Sequence, residues 1–145
     1  MIKISKLTEE AVVPKNFYKG DAGFDLCSVE SGSIKSGETK IVKTGIALEI
    51  PEGFAGLVMP RSGLAAKESI TIVNSPGLID SGYRGEIMVI LHRFYGVGGE
   101  FCYNVGDRIA QLVIQKVEDI NFEIVSESEL KKSERSSLGI GSSGK

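Results

Sequence analysis

The chain has 145 residues, close to the roughly 150 of a typical single domain, and a chain of that size buries roughly two-thirds of its unfolded surface without needing disulfides or a structural metal. Hydrophobic residues make up 41% and charged residues 25%, and 17 Lys and Arg against 19 Asp and Glu give a net charge of −2. That balance excludes a strongly basic nucleic-acid binder, although a small phosphorylated ligand needs only a local cluster of donors.

No apolar run approaches the roughly 18 residues of a membrane helix. The N-terminal MIKISKLTEEAVVPK has no apolar stretch of the signal-peptide kind. The expectation is a protein that is not secreted and has no membrane partner, cytoplasmic or, in a eukaryotic host, nuclear. The two cysteines, Cys27 and Cys102, form no C-x-x-C, which suits two buried thiols in a reducing compartment better than a disulfide framework. With His92 as the single histidine, a His/Cys zinc site is disfavoured. Metal chemistry would use carboxylates or a cation carried on a ligand's phosphates.

In chain order, Gly20–Ser28 (GDAGFDLCS) places Asp25 in an apolar, strand-like context. A carboxylate is costly to bury there unless it is paired, and a turn-stabilising Asp is the plainer reading. Lys35–Glu38 is a turn with Gly37, and Thr39–Ile50 is strand-like with a bulge expected at Gly45. Pro51–Gly53 turns into the short apolar strand Phe54–Met59. PRSGLAAK follows, where Ser62 is a natural N-cap for a short helix over Ser62–Lys67. Arg61 and that hydroxyl could hold a phosphate or could simply cap the helix.

Ser69–Val73 is another apolar run. Asn74–Glu86 (NSPGLIDSGYRGE) carries Asp80, Tyr83 and Arg84 in a Gly-punctuated turn before the strongest β signal, Glu86–Phe94. Loops at strand ends hold catalytic groups, and a plain hairpin turn fits the same letters. Turns at Gly96–Gly99 and Asn104–Asp107 precede Arg108–Val117, which holds Gln111 within its hydrophobic run, and Phe122–Val125 reads as a last strand. A short helix is possible over Ser126–Lys132. Many short strands, Gly-rich turns and no βαβ rhythm predict an all-β, jelly-roll-like barrel or sandwich. Residues 1–126 are expected to form this β domain, and 127–145 read as a polar, Ser- and Gly-rich flexible tail whose glycines and serines could instead wrap a phosphate.

The order of these segments is more specific than any one of them. DAGFDL, PRSGLAAK, GLIDSGYRG, GDRIAQL and a Gly/Ser tail after Arg135 together resemble the motifs of the trimeric deoxyuridine triphosphate nucleotidohydrolases, the dUTPases. The resemblance runs from about Ala11 to the C-terminus. It implies a homotrimer whose sites are each built from more than one subunit, with the arm closing over a neighbour's site. It also implies hydrolysis of dUTP to dUMP and pyrophosphate, with Mg²⁺ on the triphosphate.

Carried over residue by residue, Asp80 resembles the carboxylate that activates the attacking water, and Tyr83 the ring under the deoxyribose. Asn74 and the hairpin backbone at Gly77, Ile79 and Met88 resemble the uracil slot. Arg61, Ser62, Gly63 and Gln111 resemble the phosphate-binding groups. Asp25 resembles the carboxylate that holds waters on Mg²⁺. Arg135, Gly139, Ile140, Gly141, Ser142 and Ser143 resemble the tail's contacts. The tail departs from the family pattern at Ile140 and over Ser136–Leu138: the usual aromatic over the base is an aliphatic here, without a stacking gain of roughly 0.5–1.5 kcal/mol. A deoxycytidine triphosphate deaminase would need groups to protonate cytosine, and the slot motif is the hydrolase's. A non-catalytic nucleotide sensor would be favoured by loss of the water-activating Asp, and Asp80 is present.

Overall fold

The structure, a computed structural model, describes residues 1–131 and residue 133. The described residues form eleven strands and one α-helix. The first strands are β1 (Lys3–Lys6), β2 (Phe24–Cys27), β3 (Gly32–Lys35), β4 (Thr39–Lys43), β5 (Ile46–Glu49) and β6 (Phe54–Met59). Helix α1 (Ser62–Glu68) follows, then β7 (Ile70–Ile72), β8 (Gly77–Ile79), β9 (Met88–Arg93), β10 (Glu100–Tyr103) and β11 (Arg108–Lys116).

All pairings are antiparallel. The larger sheets run in the orders β2-β11-β6-β8 and β4-β9-β7, and β1-β5 and β10-β3 form two-stranded ribbons. Strand alternation explains the core between them. On β9, Val89, Leu91 and Arg93 point inward at 0%, 0% and 3% exposure, the period of two expected of a half-buried strand. Leu26, Ile34, Val42, Ile70 and Ile109 join the same apolar cluster. The all-β fold is as expected from the sequence.

Several elements differ from the sequence reading. The expected single strand Thr39–Ile50 is two: Gly45 has φ +65, a left-handed conformation open to glycine at little cost. There the chain leaves β9's sheet and begins pairing with β1. Phe122–Val125 is not a strand, and its Phe122 and Ile124 side chains lie in the open at 93% and 100% exposure. A strand is defined by its partner, and the described residues supply none for this segment. The helix expected over Ser126–Lys132 reduces to a 3₁₀ turn at Glu127–Glu129, held by reciprocal bonds between Ser126 and Glu129. Lys132 lies outside the described residues. Ser62 is the first helical residue rather than the N-cap; Arg61 takes that place without a side-chain cap. Cys27 is buried, but Cys102 is exposed on β10.

Candidate functional site

A polar hollow of about 700 Å³ opens where β2, the start of α1 and β11 meet, with Asp25, Arg61, Ser62, Gly63, Arg108 and Gln111 on its wall. The pairing of β2 with β11 sets Asp25 opposite Gln111, and β11 pairs Gln111 with Met59, just before Pro60 and Arg61. Three distant segments are thereby brought to one place by sheet register alone.

The carboxylate is partnered, as its context required. Arg61 Nε lies 3.3 Å from Asp25 Oδ1, and Arg108 Nη1 donates to Oδ2 at 3.2 Å. Arg61 Nη1 also donates to the Arg108 carbonyl at 2.8 Å, so Arg61 is tied to the Arg108 backbone while both guanidiniums share the Asp25 carboxylate. Phe17 supports the outer one, with its ring centroid 5.5 Å from the Arg108 guanidinium carbon. Gln111 Nε2 donates to the Pro60 carbonyl at 2.9 Å, which leaves its Oε1 against Gly23, where a Cβ would come within 2.5 Å of it. Behind the cluster, burial first and then the Asp25 carboxylate raise the Cys27 thiol, against the lowering pull of Arg108 and Arg61. Cys27 is therefore a neutral wall at ordinary pH and not a nucleophile.

A second, smaller hollow of about 230 Å³ is lined by Ile79, Asp80, Tyr83, Glu86 and Met88, with Ile41 and Ile90 beside them. The Tyr83 amide donates to the Asp80 carbonyl at 3.0 Å, closing the turn. The Tyr83 hydroxyl donates to the Glu86 carbonyl at 2.9 Å. That bond lays the ring over Gly85, where a Cβ would meet the hydroxyl at 2.5 Å; a glycine two residues after Tyr83 is thus required by the ring's position. Among the described residues nothing donates to the Asp80 carboxylate, which leaves its oxygens available to water. Asn74 is exposed and lies over Gly77, its Nδ2 within 3.2 Å of where a Cβ would stand.

The two hollows share no lining residue within one chain. Ile79 pairs with Gly56 near the start of β6, whereas Arg61 lies beyond that strand's end at Met59. Arg135, Gly139, Ile140, Gly141, Ser142 and Ser143 lie outside the described residues. Sequence reasoning missed Arg108 and Phe17. The signal available was a cation opening the same GDRIAQ segment; what hid it was that its carboxylate partner lies in β2, far away in sequence.

Among the described residues no group of three or more His, Cys, Asp or Glu gathers into a metal cage. The hollow fits Mg²⁺ in another way. That ion keeps several waters and binds through one or two carboxylates together with substrate phosphates, and Asp25 offers one carboxylate beside donors suited to phosphate.

The dUTPase family model matches residues 9–144. The chain is 50% identical over 144 residues to the deoxyuridine 5'-triphosphate nucleotidohydrolase of Corynebacterium glutamicum, covering 99% of this chain and 95% of that one. It is 46% identical over 143 residues to the enzyme of the same name from Clostridioides difficile, covering 99% and 97%. Among solved structures it resembles a mutant dUTPase of Staphylococcus bacteriophage 80alpha with dUpNHpp, at TM-score 0.87 and 30% identity over 99% of this chain and 98% of that one. It also resembles a mutant dUTPase of S. aureus phage phi11 described with a structural Mg(II) ion, at TM-score 0.78 and 29% identity over 90% and 99%. With the family's motifs in order along nearly its whole length, this chain belongs to the dUTPase family.

Proposed function

We propose that the protein hydrolyses dUTP to dUMP and pyrophosphate at sites shared between copies of the chain in a homotrimer. The observation that carries this reading is the division of the motif residues into two hollows, one built for phosphates and one carrying an open carboxylate and a fixed ring. Each is half of a nucleotide site. A second copy can bring the Asp80 half of one chain against the Arg61 half of another.

In the assembled site Arg61, Ser62, Gly63 and Gln111 hold the phosphates. Guanidinium and hydroxyl donors match phosphate oxygens, and the first N–H groups of α1 have no partner inside the helix. Asp80 accepts a proton from the water as its oxygen attacks the α-phosphorus in line. The bond from that phosphorus to the bridging oxygen breaks, and pyrophosphate leaves with the electron pair. Asn74 and the backbone around Gly77, Ile79 and Met88 read the uracil edge. Asp25 would hold Mg²⁺ through water, and the ion would supply neutralisation of the triphosphate's charge. Residues 127–145 form the arm that closes a neighbouring site. Arg135 and the segment Gly139, Ile140, Gly141, Ser142 and Ser143 are its proposed phosphate and base contacts.

The deciding assay measures pyrophosphate release from dUTP alongside ammonia release from dCTP. Pyrophosphate from dUTP with Mg²⁺ present, and no ammonia, is the expected result. Ammonia from dCTP, or no product from either nucleotide, overturns the reading.

Tyr83 supplies a specificity test. Its hydroxyl bond to Glu86 fixes the ring in the hollow, where it would fill the space a ribose 2′-OH needs. Tyr83→Ala should raise the rate on UTP relative to dUTP by roughly 10- to 200-fold. An unchanged ratio moves sugar discrimination elsewhere.

A further inference from the structure

We propose that Arg93 is a positioning residue for phosphate binding: its buried guanidinium fastens the C-terminal end of α1 and so fixes Arg61, Ser62 and Gly63 at the other end. The inference rests on the phosphate role proposed for those residues.

The sequence pattern already marks the position. Inward-facing positions on β9 are Val89, Leu91 and then Arg93, and Arg93 is only 3% exposed. A cation so buried is costly unless fully hydrogen-bonded. Among the described residues no carboxylate pairs with it. Its donors fan instead onto three backbone carbonyls. Nε donates to Glu68 at 3.3 Å, Nη1 to Gly99 at 2.9 Å, and Nη2 to Gly98 at 3.0 Å. Only the planar, five-donor fork of Arg reaches three acceptors in this way.

Glu68 is the last residue of α1, and the helix needs an anchor. None of its residues is fully buried, and Leu64 alone packs partly on the core. At the N-terminal end its ties are polar, through Arg61 to Asp25 and to the Arg108 carbonyl. Those same groups must turn toward phosphates when a ligand arrives. At the C-terminal end, Ser69 turns left-handed with φ 55, and its N–H caps the Leu64 carbonyl. The Phe94 amide binds the Ser69 carbonyl at 3.0 Å. The guanidinium adds the one side-chain bond at that end and joins it to the Gly96–Gly99 turn. A cation facing the carbonyl end of a helix is also favourable electrostatically.

The test compares the full-length wild type with Arg93→Met and Arg93→Lys. In the ligand-free proteins, amide exchange over residues 62–68 should be faster in both variants, with strands β6 and β11 unchanged. KM for dUTP and the inhibition constant of pyrophosphate should rise together by roughly 10- to 100-fold. Turnover at saturating dUTP should be largely retained, and deoxyuridine, which has no phosphate, should bind as in the wild type. Arg93→Lys keeps the charge and three donors but gathers them on one nitrogen that cannot span all three carbonyls, so its shift should be smaller; it carries the test if Arg93→Met does not fold.

Unchanged exchange over 62–68, an unchanged pyrophosphate constant, or equal losses for deoxyuridine and pyrophosphate overturn the proposal. So does failure of both variants to fold, which makes Arg93 purely structural. A wild type that does not hydrolyse dUTP sinks the functional reading instead, and the exchange data still report on Arg93.

Discussion

Asp80→Asn is expected to keep the fold and the binding of a non-hydrolysable dUTP analogue while losing turnover by roughly 10²–10⁴-fold, the usual contribution of a general base. The substitution is nearly isosteric, and the Asp80 backbone keeps its place because the turn bond from the Tyr83 amide uses the carbonyl and not the side chain. What disappears is basicity: an amide oxygen does not take the proton that water must lose as it attacks phosphorus. Asp80 is exposed on the single chain, and no described residue donates to its carboxylate, so its present surroundings do not commit it to a structural role. The measurement is single-turnover pyrophosphate release beside analogue binding. Turnover near the wild-type level in a variant that binds normally removes Asp80 from the chemistry.

The elements legible in the sequence were those whose signal is local. β6 has the residues read from its apolar run, and α1 differs by one residue at its end. β9 and β11 follow from runs of branched residues long enough to show alternation. The strands overlooked were β1, β3, β8 and β10, each of three or four residues. KISK and GSIK hold too few apolar positions for a period, and such segments become strands only because a partner lies alongside. Glu100–Tyr103 pairs with Gly32–Lys35 across a long separation in sequence. Gly45 marks a break in the strand but not its kind, because a glycine that changes sheets and a glycine that bulges within one look alike in a single chain.

The site was legible where motif letters are contiguous and opaque where partners come from afar. Arg61, Ser62 and Gln111 could be singled out as phosphate groups, yet the brace of Arg108 on Asp25 and on Phe17 joins segments that nothing local connects. Arg93 shows the opposite case. Strand alternation gives its inward position directly, but an arginine inside a hydrophobic run reads as an interruption until the carbonyls of Glu68, Gly98 and Gly99 are seen converging on it.

The same reasoning bears on Phe122–Val125, whose strand-like letters have no partner among the described residues, and leads to the other large effect. Replacing Ile120, Phe122 and Ile124 together by Ser is expected to dissociate the assembly and abolish most dUTP hydrolysis, in a protomer that still folds. The three alternate along the chain, so once the segment pairs as a strand they would share a face, with Asn121 and Glu123 on the other. They stand 67%, 93% and 100% exposed, an exposure of large apolar groups that marks an interaction surface. The chain also carries an unfilled apolar hollow of about 500 Å³, lined by Ile2, Ile4, Phe24, Leu48, Phe54 and Leu112 among others. In the homotrimer proposed above, the segment of one copy would lie along the hollow of the next. Full burial of such a side chain contributes ~1.5–3 kcal/mol, so losing three weakens assembly by roughly 10³-fold or more. None of the three belongs to the apolar core cluster of its own chain, so thermal unfolding of the protomer should change little. Sedimentation equilibrium at micromolar concentration should give a trimer for the wild type and a monomer for the variant. Activity should fall with assembly, because the Asp80 hollow and the Arg61 hollow lie apart on one chain. A variant that stays trimeric removes the segment from the interface; a monomeric variant with full activity removes the shared site itself.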